Sequence, residues 1–284
     1  MRIVVVGGTG LIGSKVVARL QDAGHEVTPA ARSTGVNSYT GEGLEAALNG
    51  AETVIDLSNS SYTDQAGALE FFYSSTLNLL TYGRAAGVGH HVALSVVGTD
   101  RLAQTERGYF FAKDAQETLI RRSSVPYSLV HATQFFEFVR SIADAAGGSS
   151  GSVGPDASVA SLSRGRSAAS ARQGRLRLAE ASVQPIAGDD VAAAVTETTL
   201  GEPTNATREF TGPEIFALRD LVRLELRARQ DPREVEADPL ARYFGNTLAP
   251  DELLPGPDAY RFSTRFEDWL RARDRAESEP AAAR

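Results

Sequence analysis

Of the 29 basic residues in this 284-residue chain, only Lys15 and Lys113 are lysines. Lys113 stands four residues after Tyr109, in Tyr109-Phe110-Phe111-Ala112-Lys113. On a helix that spacing puts both side chains on one face. A phenol with a pKa near ~10 is a poor acid or base at neutral pH, and a neighbouring ammonium stabilises the phenolate and lowers that value. A bulkier, always-charged guanidinium does not substitute for an ammonium in this role. Ser95 closes an apolar run in Ala93-Leu94-Ser95-Val96-Val97-Gly98. It is expected at the carboxyl end of a strand, the edge where ligands bind in open α/β sheets. There its hydroxyl is expected to orient a substrate carbonyl, the alternative being a strand-end hydroxyl bonded to backbone. Ser95, Tyr109 and Lys113 are therefore the candidate catalytic residues.

A second pattern points to phosphate. Gly7-Gly8-Thr9-Gly10-Leu11-Ile12-Gly13 follows the apolar run Ile3-Val4-Val5-Val6 and opens a helical pattern. Glycines at Gly7, Gly10 and Gly13 permit a tight turn, close approach of backbone to a pyrophosphate, and close helix–sheet packing. A helix start also offers unpaired N–H groups to phosphate oxygens. The segment from Gly7 through Thr9, Gly10, Leu11 and Ile12 to Gly13 is expected to bind a dinucleotide. The next apolar segment ends Ala30-Ala31-Arg32-Ser33. An NAD-selective site usually carries Asp or Glu there to hold the ribose 2′-hydroxyl. In its place Arg32, with Ser33 as a further donor, is expected to meet a 2′-phosphate, so NADP(H) is favoured over NAD(H).

The elements that must position these residues follow from the apolar pattern. Strands are expected at 3–6, 26–30, 53–57, 91–94 and 127–130, and helices at 11–23, 44–48, 66–86 and 112–122. Alternating strands and helices imply right-handed crossovers and a parallel sheet, that is, a doubly wound α/β Rossmann domain. Residues 147–175, opening Gly147-Gly148-Ser149-Ser150-Gly151-Ser152, are expected to be either a disordered insertion or a mobile cover over a cleft. Further strands are expected at 183–186 and 208–210, a helix at 189–200, and a largely helical tail from 214. The expected organisation is a Rossmann domain of 1–146 and 183–212, an insertion or mobile loop at 147–182, and a smaller substrate region at 213–284.

Composition narrows the class further. The absence of cysteine removes disulfides, thiolate nucleophiles and cysteine metal sites. A formal net charge of −7 argues against nucleic acid as a partner. The apolar run before Gly7 is too short for a signal-peptide core and no later run approaches a membrane span. The cytoplasm is the expected location and a small molecule the expected partner. His90 and His91 are adjacent, so on a strand they point to opposite faces and do not share a metal.

Together, the glycine loop, Ser95, and Tyr109 with Lys113 resemble the short-chain dehydrogenase/reductase superfamily. Within it the chain is similar to the atypical NmrA-like, NAD(P)H-binding branch. Further likeness lies in Pro126-Tyr127-Ser128-Leu129-Val130, Ala132-Thr133-Gln134-Phe135-Phe136 and Gln184-Pro185-Ile186-Ala187-Gly188-Asp189-Asp190-Val191. The resemblance implies a Rossmann core with a smaller carboxy-terminal substrate region. It also implies that Asn59 and the segment 132–135 flank the nicotinamide, and that Lys113 bonds the nicotinamide ribose. His131 stands where such proteins often carry Arg. The branch holds both reductases and proteins that sense cofactor redox state without catalysis. The expected function is an NADPH-dependent oxidoreductase acting on a carbonyl or conjugated small molecule, with Tyr109 as proton donor; the alternative is a non-catalytic NADP(H)-binding regulator.

Overall fold

The computed structural model describes residues 1–60, 65–104, 107–146 and 174–278. Val4 and Val6 of β1 (Arg2–Val6) pack into one apolar layer while Ile3 and Val5 pack into another. Both faces of β1 are therefore covered, which is why it reads as a continuous apolar run. The chain continues through α1 (Leu11–Asp22), β2 (Glu26–Ala30), α2 (Leu44–Leu48), β3 (Thr53–Asp56), α3 (Gln65–Ala86) and β4 (His90–Val96). After the single turn α4 (Thr99–Leu102) come α5 (Tyr109–Arg122), β5 (Tyr127–Ala132) and α6 (Val139–Ala146).

The second half starts with β6 (Arg175–Leu178), β7 (Ser182–Val183), α7 (Gly188–Leu200) and β8 (Ala206–Thr211). It ends with β9 (Phe216–Ala217), α8 (Leu218–Ala228), β10 (Glu234–Ala237), β11 (Tyr260–Arg261) and α9 (Phe266–Ser278). The main sheet has seven strands in the order β11-β8-β5-β4-β3-β1-β2, and every pairing within it is parallel. Apolar residues of α1 and α7 cover one face; those of α2, α3 and α5 cover the other. This is a Rossmann-type α/β fold. From β1 the chain runs outward to β2, then crosses back to place β3 on the other side of β1. The order reverses there, and the carboxyl ends of β1 and β3 border the crevice where such sheets bind ligands.

The structure redraws three expected segments. The strand expected at 183–186 pairs only as Ser182–Val183 against β9, with Ile186 making a single bridge to Phe135; Pro185 has no N–H to extend the ladder. The tail is not mainly helical. It holds α8 and α9, but β10 pairs with β6 and β11 joins the open edge of the main sheet beside β8. Within the segment expected as an insertion, β6 (Arg175–Leu178) pairs with β10 of the carboxy-terminal region, while Tyr260–Arg261 of that region join the Rossmann sheet. The loop expected at 147–175 lies outside the described residues except for its last two. Among the described residues, no helix is long and apolar enough to cross a membrane.

Candidate active site

The glycine loop is shaped by what its glycines exclude. Gly7 adopts a φ of +76°, a left-handed conformation that side chains disfavour. A Cβ on Gly13 would stand 2.0 Å from the Gly7 carbonyl oxygen, so the first turn of α1 closes directly onto the strand end. Gly8, which the motif spacing does not single out, is equally constrained: its Cβ would lie 2.9 Å from Pro29 of β2. Gly10 differs. Its φ of −81° suits any residue, and a Cβ there would meet only the Gly7 oxygen, at 3.2 Å. Gly10 caps α1 without a side-chain hydrogen bond, and the first turn carries no acid. Among the described residues the N–H groups of Leu11, Ile12 and Gly13 have no protein acceptor, leaving a helix start suited to an anion.

This loop forms one end of a cleft of about 700 Å³. Thr9, Gly10, Leu11, Ile12 and Gly13 line it, followed by Ala31 and Arg32 at the end of β2. Asn59, Ser95 and Lys113 line it further along. Ser33 does not line it and is exposed on the short 3₁₀ turn Arg32–Thr34. The cleft also takes in residues that sequence reasoning missed: Asn37, Ser38 and Tyr39, and Glu70 and Phe71 of α3, with Phe138. The Tyr39 hydroxyl donates to Glu70, and its ring stacks on Phe71. Asn78 of α3 donates to the Ser38 and Tyr39 carbonyls at 2.9 and 3.0 Å. No local pattern marks this loop, because α3 reaches it from some 30 to 40 residues further along the chain.

Lys113 and its partners occupy the middle of the cleft. The Lys113 ammonium donates to the Leu94 carbonyl at 2.8 Å and to Gln116 Oε1 at 2.5 Å, and stands 4.6 Å from the centre of the Phe72 ring. Gln116 passes the link on, donating to Asp56 Oδ2 at 2.9 Å. The other Asp56 oxygen accepts from the Ser58 N–H and hydroxyl. Burial pushes the Lys113 ammonium down to about 8, with the Asp56 and Glu117 charges working against that shift. An ammonium has three donors, and among the described residues two are taken, which leaves one toward a ligand.

The lowered value makes a stability prediction. Below about 8, Lys113 is protonated in folded and unfolded chains alike; between about 8 and the ordinary 10.5 the unfolded chain alone holds the proton. The contribution of this group to stability therefore rises with pH through that window. Lys113→Met is expected to remove that rise, read as the change in urea midpoint between about pH 7.5 and 9.5. An unchanged slope in the variant contradicts the assignment.

Tyr109 and Ser95 are placed differently from what the spacing suggests. The Tyr109 hydroxyl donates to Asn59 Oδ1 at 2.9 Å. Its ring packs edge-on against Phe72 and Phe110, and it sits behind Asn59 rather than in the cleft wall. Ser95 lies opposite His131 in the β4–β5 register, and its hydroxyl donates to Glu117 of α5. Glu117 also meets His131 Nε2 at 2.9 Å and Arg121 at 2.7 Å. Burial alone would raise the Glu117 carboxyl, but hydrogen bonds from His131 and Ser95 and the nearby charges of His131 and Lys113 hold it below the ordinary value. Glu117 is thus held ionised and accepts the hydrogen bond of the Ser95 hydroxyl. Where the sequence reading has the Ser95 hydroxyl orienting a substrate carbonyl, the structure directs that hydroxyl to Glu117.

The other residues singled out in the sequence are structural. Lys15 pairs with Asp189 at 2.9 Å, tying α1 to α7. His90 bonds Ser128 at 2.9 Å on β5, while His91 is buried on the other face, near Asp56.

The fold and the cleft at its switch point define a Rossmann-type protein. The family model for the NAD dependent epimerase/dehydratase family matches residues 3–129, the half that carries the glycine loop, Ser95, Tyr109 and Lys113. The photosystem II assembly factor Ycf39 of Synechocystis sp. is 27% identical over a stretch covering 48% of this chain and 46% of that protein. The chain thus spans about half the length of the curated relatives it matches. Among solved structures, the Bordetella bronchiseptica enzyme WbmG, in complex with NAD and UDP, superposes with a TM-score of 0.67 at 13% identity, over 95% of this chain and 93% of that one. The dTDP-4-dehydrorhamnose reductase of Bacillus anthracis, in complex with NADP, gives 0.63 at 12% identity, over 98% and 99%. These likenesses show the fold.

Proposed function

We propose that this protein is an NADP(H)-dependent oxidoreductase of the NmrA-like kind, acting on a small carbonyl or conjugated compound. The observation that carries the proposal is the single cleft running from the glycine loop past Arg32 to Asn59, Ser95 and Lys113. The residues fit a dinucleotide. The uncapped start of α1 and the backbone from Thr9 to Gly13 would hold its pyrophosphate. Arg32 would hold a 2′-phosphate, and the third Lys113 donor a ribose hydroxyl. When bound, the nicotinamide supplies a hydride.

The chain's own contribution is to hold and deliver a proton. Asn59 Oδ1 keeps the Tyr109 hydroxyl turned toward the cleft wall. A substrate oxygen that displaces Asn59 as acceptor takes the Tyr109 proton, and the Lys113 ammonium on the same helix face stabilises the phenolate left behind. Leu94 O and Gln116 fix that ammonium, and the Phe72 ring shields it.

The same two hydroxyls favour a second reading. Tyr109 and Ser95 both give their protons to protein groups, Asn59 and Glu117. Such a site binds a cofactor without needing to turn it over, as in a regulator that reports its redox state to a partner protein. A panel of quinones, enones, ketones and aldehydes separates the two: the reductase reading requires NADPH oxidation with at least one class. Tight NADPH binding with no turnover across the panel favours the regulator.

Cofactor choice is tested separately. Arg32→Ala is expected to weaken NADPH by about tenfold, the scale of losing a charge-assisted hydrogen bond, and to leave NADH nearly unchanged. Fluorescence titration of both cofactors reads this directly. Equal or tighter NADH binding by the wild type refutes the NADP(H) assignment.

A further inference from the structure

The Ser95 hydroxyl has one proton and two lone pairs. Its proton goes to Glu117, and no protein donor reaches its oxygen among the described residues. Ser95 nonetheless lines the cleft. Glu117 is 1% exposed and so has no solvent donor to exchange for the Ser95 hydroxyl. Its second oxygen is held by Arg121, which fixes the rotation of the carboxylate. The arrangement is over-determined: β5 supplies His131, α5 supplies Glu117 and Arg121, and β4 supplies Ser95.

We propose that Glu117 is a positioning residue that turns Ser95 into a hydrogen-bond acceptor, so that the cleft recognises an O–H or N–H donor on its ligand at this point. Ser95 then favours a hydroxyl or a primary amide and offers nothing to a bare carbonyl oxygen. This rests on the reading of the cleft as a nicotinamide dinucleotide site. The donor belongs either to the nucleotide, whose carboxamide carries an N–H₂, or to a co-substrate hydroxyl. His131 acts in the same network by holding the Glu117 oxygen that Ser95 shares.

The test compares binding of NADP⁺ with its 3-acetylpyridine analogue, in which a methyl replaces the carboxamide N–H₂ and the carbonyl is kept. Calorimetry on the wild type, Ser95→Ala and Glu117→Gln reads affinity without turnover. If the nucleotide supplies the donor, the wild type prefers NADP⁺ by about three- to tenfold, the scale of one net hydrogen bond. Ser95→Ala abolishes that preference by weakening NADP⁺ alone. Glu117→Gln keeps the side-chain shape but lets Ser95 turn its proton into the cleft, and so erodes the same preference; a purely structural role for Glu117 would lower both affinities together. If the co-substrate supplies the donor, the two nucleotides bind alike. With NADP⁺ bound, benzyl alcohol then loses affinity in Ser95→Ala while benzaldehyde does not. A Ser95→Ala variant that changes neither preference, or weakens benzaldehyde more than benzyl alcohol, overturns the proposal. A wild type that binds neither nucleotide overturns the cofactor reading itself, and with it this inference.

Discussion

Gly13→Ala is expected to damage both the fold and the site, and Gly10→Ala the site alone. At Gly13 the added methyl would stand 2.0 Å from the Gly7 oxygen and 2.8 Å from the Gly7 carbonyl carbon and Gly8 Cα. All three are backbone atoms held between β1 and α1, so nothing flexible can move aside. The loss is placed at about 3 kcal/mol, the upper end of the range for overpacking, seen as a Tm lower by roughly 6 °C or more. NADPH affinity is expected to fall with it, because relief requires shifting the N–H groups that would face the phosphates. At Gly10 the same methyl has room and an ordinary φ, but it projects from a residue lining the cleft. Thermal unfolding of Gly10→Ala is expected to match the wild type within about 1 kcal/mol, while NADPH binding weakens by about tenfold or more, as when backbone can no longer approach a pyrophosphate. Gly10→Ala with undiminished NADPH binding would show that the phosphates do not sit at this loop.

That contrast also shows what was legible in the chain and why. The G-x-x-G-x-x-G spacing marks the loop but does not tell a packing glycine from a ligand glycine, and it passes over Gly8, whose constraint comes from Pro29 across the sheet. The first half of the fold was legible because its strands are buried on both faces and its helices are long. Glu26–Ala30 and Leu44–Leu48 come out as read, and the others shift by at most a few residues at their ends. The carboxy-terminal segment was not legible. Its strands are two to four residues long, too short for a periodicity, and they form only because β6, β8 and β7 lie ready to pair with them.

The site divides in the same way. Lys113 and Arg32 both line the cleft, and both stand at positions that a local motif marks. The direction of the Ser95 proton was hidden, because it depends on Glu117, eight residues beyond Tyr109 on α5 and anonymous in a charged helix. The Tyr39 and Glu70 contact was hidden too, since it joins a loop to a helix that no motif connects.

Tyr109→Phe carries the second large effect, and it separates the reductase from the regulator. The substitution removes one hydroxyl and keeps the ring that packs on Phe72 and Phe110. Asn59 loses its donor but lines the cleft, where water can replace it, so stability changes little. NADPH binding is expected to persist, because the glycine loop, Arg32 and Lys113 are untouched. Turnover on a genuine substrate is expected to fall by about 10² or more, the usual loss on removing a positioned acid, equivalent to about 2.7 kcal/mol of transition-state stabilisation. Asn59→Ala adds a directional control. If Asn59 only parks the phenol until substrate displaces it, removing Asn59 keeps turnover within about tenfold of the wild type, far short of the Tyr109→Phe loss. Lys113→Ala behaves unlike either. It removes both the charge that stabilises the phenolate and the donor left for a ribose hydroxyl, so turnover and NADPH affinity fall together. Lys113→Arg does not restore them, since a planar guanidinium fits neither the Leu94 carbonyl nor Gln116 as an ammonium does. Full activity in Tyr109→Phe would remove the phenol from the mechanism and leave the proton to a group that lines the cleft itself.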